Sequence, residues 1–247
     1  MGLEGRRVHD RGPAESAESS SARWCAGLLA AFALASCAQP PRPAPDLPGS
    51  PATRATGRCY RLDPAQSELR VLVYRAGPLA RLGHNHVLLA GDLAGELCAG
   101  RFSITVPVAG LVVDPAAARA EEGAEFATEP SAADVEGTRR HLLGDGQLEA
   151  SVWPTIRIGG LMPSALGDVV ATTRLEVRGA ATVLEVPVHL GLDGDGRLLA
   201  AGGFELAQTS LGLVPYSVAL GALHVRDEVS IRFRLVAVQD RKPSVAE

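Results

Sequence analysis

The chain has 247 residues, enough for one large domain or two small ones. Hydrophobic residues make up 46% and charged residues 21%, a balance that supports a packed core and excludes wholesale disorder. The formal net charge is −4 and no basic block stands out, which argues against a nucleic-acid partner.

The first feature in chain order is an uncharged apolar run from Trp24 to Ser36, preceded by Arg23. It has the length of a signal-peptide core and is too short to span a bilayer, which needs roughly 20 apolar residues. Leu34-Ala35-Ser36-Cys37 resembles a bacterial lipobox, so residues 1–37 read as a lipoprotein signal, with Cys37 lipidated and the new N-terminus. Asp10, Glu15 and Glu18 lengthen the leading segment and leave open a start downstream of Met1. Residues 38–57 are proline-rich without apolar periodicity and read as an extended tether. The expected location is therefore the periplasmic side of the envelope, lipid-anchored in a membrane. Ala38 stands where many inner-membrane lipoproteins carry Asp, which leans toward the outer membrane.

Cys25 leaves with the signal and Cys37 is spoken for, so Cys59 and Cys98 remain. They form either a disulfide or two buried free thiols, and export to an oxidising compartment favours the disulfide.

From Cys59 onward the chain reads as strands. Leu69, Val71 and Val73 alternate with polar or smaller neighbours over residues 67–74, the period of a half-buried strand. A second strand runs from Val87 through Leu97. A third covers Arg101 to Val113, with Phe102, Ile104 and Val106 on one face, and Pro107 marks an edge or a bulge. Ser131 is a good N-cap for one short helix, which ends at Gly144. Strands are then expected over 147–152, 155–158, 168–178, 182–192, 197–208 and 228–238. In the last, Val229, Ile231, Phe233, Leu235 and Ala237 share a face opposite Ser230, Arg232, Arg234 and Val236. Gly179-Ala180 and Asp193–Gly196 are hairpin turns. The fold class is all-β: an antiparallel lipocalin-like barrel of about eight strands over 58–240, with one helix in a long connection and a tail at 241–247.

Several residues bear on chemistry. His84 and His86 would share a face in a strand and could ligate a metal with His141, His189, His224, Asp227 or Glu228. Alternatively Arg81, His84 and His86 contact the polar or pyrophosphate head of a ligand at the barrel mouth. Asp193–Gly196 is not a calcium loop, because Arg197 and Phe204 occupy positions that need oxygen ligands. Glu121, Glu122 and Glu125 read as a solvated face. No nucleophile elbow or zinc-protease motif is present, so no catalytic residue, metal or cofactor is assigned.

Four segments in series resemble the YceI-like family. Tyr60-Arg61-Leu62-Asp63-Pro64-Ala65-Gln66-Ser67 is similar to its opening, and Trp153-Pro154-Thr155-Ile156 to its Tyr-Pro-Thr-Ile segment. Arg174–Leu190 resembles its Val-Pro-Val hairpin, and Arg226–Ile231 its closing strand. The departures are Gln66, where His is common, the Arg81–His86 stretch, and Leu142, Leu143 and Leu148 in place of a Phe-rich segment. The resemblance implies a lipocalin-like barrel that binds polyisoprenoid chains or isoprenoid quinones in the bacterial envelope. Leu69, Val71, Val73, Phe102, Ile104, Val106, Val229, Ile231 and Phe233 would then line the apolar interior. Two other readings remain at this point: a structural or interaction lipoprotein with a filled barrel, and an enzyme built on a histidine metal site.

Overall fold

The computed structural model describes residues 58–98 and 100–240; the signal, Cys25, Cys37, the tether and the 241–247 tail lie outside the described residues. The described residues form strands β1 (Cys59–Leu62), β2 (Glu68–Val73), β3 (Arg75–Ala76), β4 (His86–Ala90), β5 (Ala94–Cys98), β6 (Arg101–Pro107) and β7 (Leu111–Val113). Helices α1 (Ala116–Glu121) and α2 (Ala132–Leu143) follow. Then come β8 (Thr155–Leu161), β9 (Gly167–Val177), β10 (Ala180–Leu192), β11 (Leu198–Ala207), β12 (Ser217–Val218), β13 (Leu223–Val225) and β14 (Glu228–Gln239).

The main ladder runs β1-β5-β6-β8-β9-β10-β11-β14 and closes where β14 pairs with β1. This is a closed eight-stranded antiparallel barrel, as the strand count implied. Three of its walls are broken in two. β2 continues β1 beyond a 3-10 turn at Pro64–Gln66, β4 precedes β5 across Gly91-Asp92, and β7 follows β6 beyond Val108–Gly110. Each break has a local cause. Asp63 caps the first turn through the Ala65 N–H, Asp92 takes a positive φ of 52°, and Pro107 leads into the third. The single strands expected at 87–97 and 101–113 are thus each two.

The alternation in β14 follows the pleat, with side chains two apart on one face. Val229 and Ile231 are buried, while Arg232 on the opposite face is exposed. Opposite Phe233 sits Gly202, where a Cβ would lie 2.7 Å from the ring. Only glycine leaves room there for the aromatic side chain. The β9–β10 turn is Arg178-Gly179, with φ of 51° and 74°, the left-handed pair that a two-residue hairpin needs.

The two ends of the barrel differ. One end carries residue 58, residue 240 and the short connections 162–166 and 193–197; we call it the hairpin end. Cys59 and Cys98 face each other there as the last pair of β1 and β5, joined by a disulfide. The other, the loop end, carries the long connections 74–85, 114–154 and 208–227. In them β12, β13 and β3 make a three-stranded sheet that the sequence pattern did not announce, and α1 is a second helix where one was expected.

Helix α2 is capped by Ser131 and Gly144, as read from the sequence, with a reciprocal capping box between Ser131 and Asp134. The strand expected over 147–152 does not form. The Leu148 and Ala150 N–H groups instead donate to Leu142 and Leu143 carbonyls, satisfying the end of α2, and Glu149 takes a φ of 46°. Backbone groups used to cap a helix are not free for a ladder.

Candidate functional site

The barrel is not filled by its own side chains. A cavity of about 630 Å³ lies inside it, with a wall that draws on all eight strands of the closed ladder. Leu69, Val71, Val73, Phe102, Ile104, Val106, Val229, Ile231 and Phe233 all line it. Leu235 and Ala237 extend the β14 stripe along the same wall. Leu62, Leu148, Leu175 and Leu213 also line it and are buried in the same core cluster. The alternation rule found the wall because every second residue of a closed sheet has to face the interior.

At the loop end the wall becomes polar. Helix α2 turns one face inward, with Asp134, Thr138 and His141 among the lining residues, three or four apart as one helical face requires. Ala133 and Gly137 lie on that face too, so little bulk projects from the first turns. His84 and His86 complete this rim with Tyr216, whose ring centroid is 4.4 Å from that of His141. Leu82 and Tyr216 line the cavity and are also exposed, so the cavity opens to solvent here.

His86 is held by a buried polar network that the sequence reading missed. Its Nδ1 lies 2.6 Å from Asp114 Oδ2. Asp114 Oδ1 accepts from the Val87 N–H at 2.9 Å and from Arg119 at 2.5 Å. Arg119 is itself buried and donates further to the carbonyls of Asn85, Phe126 and Thr128. Buried Asn85 accepts from the Arg75 N–H and donates to the Glu125 carbonyl. Burial alone would raise the Asp114 carboxyl, but His86, the Val87 N–H and Arg119 hold it below the usual carboxylate range. The signal was present in the sequence as Asp114 five residues before Arg119, at the start of a helix. It was hidden because a charged pair in a connection ordinarily reads as solvated.

The expected solvated face holds for Glu121 and Glu125, which are exposed, and is corrected at Glu122. The Glu122 carboxylate is only 2% exposed and bridges Arg70 and Arg232, which stand opposite each other on β2 and β14. Glu121 also pairs with Arg70, at 2.6 Å. Burial opposes the charge on Arg70, but Glu68, Glu121 and Glu122 hold its guanidinium above the usual range. Two arginines directly across a ladder repel, and Glu122, just past the end of α1, supplies the carboxylate that offsets this.

The remaining sequence candidates disperse. Arg81 is exposed and does not line the cavity, whereas His84 and His86 do. His189 pairs with Asp168 on the outside of the barrel, His224 with the Gly221 carbonyl, and Asp227 with Thr209. Among the described residues no three His, Cys, Asp or Glu side chains come together as a metal site. Asp193–Gly196 is a hairpin turn closed by the Asp193 and Gly196 N–H groups. Gln66 joins Asp63 to Arg197 at the hairpin end.

No family model matches the sequence. No curated protein matches it either. Solved structures do match. BcnA of Burkholderia cenocepacia superposes with a TM-score of 0.52 at 15% identity, over 72% of this chain and 99% of that one. A polyisoprenoid-binding domain from Saccharophagus degradans, implicated in plant cell wall breakdown, gives 0.52 at 13% identity, over 73% and 98%. A mutant YceI protein of Campylobacter jejuni gives 0.40 at 10% identity, over 57% and 73%. The two superpositions at 0.52 take in essentially the whole of each neighbour, so this chain shares its overall fold with BcnA and the Saccharophagus degradans domain.

Proposed function

Because the chain has a YceI-like barrel fold with an open apolar interior, we propose that it binds the chain of a polyisoprenoid or isoprenoid-quinone lipid. The observation that carries this is the cavity of about 630 Å³ walled by aliphatic side chains. Ligand sites commonly occupy roughly 300–1,000 Å³, with mostly apolar walls and a few polar groups at one place. At roughly 30 Å³ per small group the space holds about twenty carbon-sized groups. At ~0.3 kcal/mol per heavy atom these contribute roughly 6 kcal/mol, and a longer chain emerges at the loop end. The name of the Saccharophagus degradans neighbour supports this ligand class.

The same proposal places the protein in the envelope. Leu34-Ala35-Ser36-Cys37 supports lipidation at Cys37, and residues 38–57 support a tether to the membrane, the outer one by virtue of Ala38. A disulfide between Cys59 and Cys98 suits an oxidising compartment. The reading is of a carrier, storage or stress-protection lipoprotein rather than an enzyme.

The test is to purify the full chain from bacterial membranes and extract it with organic solvent. Mass spectrometry is expected to find an isoprenoid in stoichiometric amount. A folded, ligand-free protein that also fails to take up added prenyl chains overturns the proposal. For the anchor, Cys37→Ala is expected to move the protein from the membrane fraction to the soluble one.

A further inference from the structure

Resting on the lipid-binding reading, we infer that the rim of His86 and Asp134 binds an uncharged hydroxyl at the end of the chain and rejects a diphosphate.

Charge comes first. Among the described residues no Arg or Lys lines the cavity. Arg81 and Arg140, the cations nearest in sequence to His84 and His141, are exposed and do not line it, and three others are occupied elsewhere. Arg139 on α2 donates to the Leu111 and Ala109 carbonyls, and Arg75 to the Gly83 carbonyl. Arg119 is spent on Asp114 and three carbonyls. The acid on the rim is Asp134. The Ser131 hydroxyl and N–H hold its carboxyl below the usual range, against the effect of burial. A diphosphate carries several charges and is normally met by guanidinium or ammonium forks. Here it would meet no lining cation and, at the exposed rim, the Asp134 carboxylate, which adds repulsion.

Hydrogen bonding then selects the hydroxyl. Asp114 has no exposed side-chain surface and accepts from three groups. A carboxylate held ionised can only accept, so the proton between it and His86 sits on Nδ1. The partner of one ring nitrogen fixes the role of the other. In the neutral ring Nε2 is therefore an acceptor, and among the described residues it makes no hydrogen bond. His86 lines the cavity while its Nδ1 is turned to Asp114, so Nε2 is the nitrogen left for a ligand. A hydroxyl donates to it and can accept in turn from Thr138 or Tyr216, which line the same rim. A bare quinone carbonyl offers no proton to Nε2, and a hydrocarbon end offers nothing.

The experiment titrates the full-length protein with three probes of about twenty carbons: a prenyl alcohol, its diphosphate, and the matching hydrocarbon. Affinities are read by tryptophan quenching and by native mass spectrometry. The alcohol is expected to bind about three- to tenfold tighter than the hydrocarbon, the worth of one net hydrogen bond, and the diphosphate more weakly than either. In His86→Phe the preference for the alcohol over the hydrocarbon is expected to disappear. His86→Gln, which keeps an acceptor, is expected to restore part of the preference, and covers the case in which the phenylalanine variant does not fold. Tighter binding of the diphosphate, equal binding of all three probes, or an alcohol preference that survives in His86→Phe overturns the head-group assignment alone. Failure of all three probes to bind overturns the lipid reading and this inference with it.

Discussion

The two ends of the barrel solve different problems with the same chain. At the hairpin end, short turns and a disulfide hold the strand ends, and the polar contacts are mostly exposed pairs such as Arg61–Asp240. At the loop end, connections of twelve residues or more have to be held in place without a ladder. They are held by buried charge: Arg119 with Asp114, and Arg70 with Glu122. Exposed ion pairs are worth about 0–1 kcal/mol, whereas removing one member of a buried pair costs about 3–5 kcal/mol. The difference teaches that the barrel's rigidity comes from pairing at one end and from buried polar groups at the other. The polar rim of the cavity is built on the second.

The sharpest way to break this contrast is Arg119→Met. It removes a guanidinium shared by Asp114 and three carbonyls, so that the carbonyls lose this donor and Asp114 keeps only His86 and the Val87 N–H. The expected loss is about 3–5 kcal/mol, or roughly 10 °C in Tm, read by thermal denaturation. Hydrogen exchange is expected to speed up over residues 84–87 and 114–128 and to stay slow in β9 and β10. A uniform rise across the barrel would mean that the loop end is not a separate cooperative unit.

Next in size is the double substitution Cys59→Ala, Cys98→Ala. The bridge spans a sequence separation of 39 residues. Removing it is expected to cost roughly 3–4 kcal/mol through the freedom returned to the unfolded chain, read as a lower urea midpoint. Prenyl-chain uptake is expected to survive, because the sulfurs lie at the end opposite the polar rim. A loss below about 1 kcal/mol would show that the β1–β5 and β1–β14 pairings already fix that end.

The contrast between the ends also governs what was legible in the sequence. The wall strands carry period-2 alternation, and a closed sheet converts that directly into an inside and an outside. Nine residues picked from stripes at 69–73, 102–106 and 229–233 accordingly line one cavity. Helix α2 was readable because Ser131 and Gly144 mark its ends. The loop end was poorly readable because its structure depends on partners far away in the chain. Glu122 is buried only because Arg70 and Arg232 meet across a ladder. Residues 147–152 have the composition of a strand, but their N–H groups are taken by the end of α2. Arg81 and His86 looked equivalent as head-group contacts, yet only His86 has a buried acid to aim it inward.

A smaller effect separates Asp114 from exposed acids. Its folded pKa is lowered, so its contribution to stability is complete above the unfolded value of about 4 and is lost as pH falls toward the folded value. The wild-type protein is expected to lose stability through this acid range. Asp114→Asn starts less stable at neutral pH, and the gap between the two is expected to narrow on acidification. Urea midpoints measured at several pH values check this. A gap that stays constant would mean that Asp114 acts by shape rather than by charge.

The smallest expected effect is at Ser131. Its hydroxyl accepts from the Asp134 N–H at 3.2 Å and donates to the Asp134 carboxylate at 2.7 Å. Ser131→Ala removes the cap and is expected to cost about 1 kcal/mol, or about 2–4 °C in Tm. Ser131→Asn keeps a side-chain acceptor and is expected to recover most of it. Global stability changes little because α2 buries no residue completely. The ligand rim is more sensitive, since Asp134, Thr138 and His141 are positioned only through the helix that this cap begins. A prenyl-alcohol preference that weakens in Ser131→Ala more than the melting temperature does would place the helix start, and not the strands beneath it, in control of the polar rim.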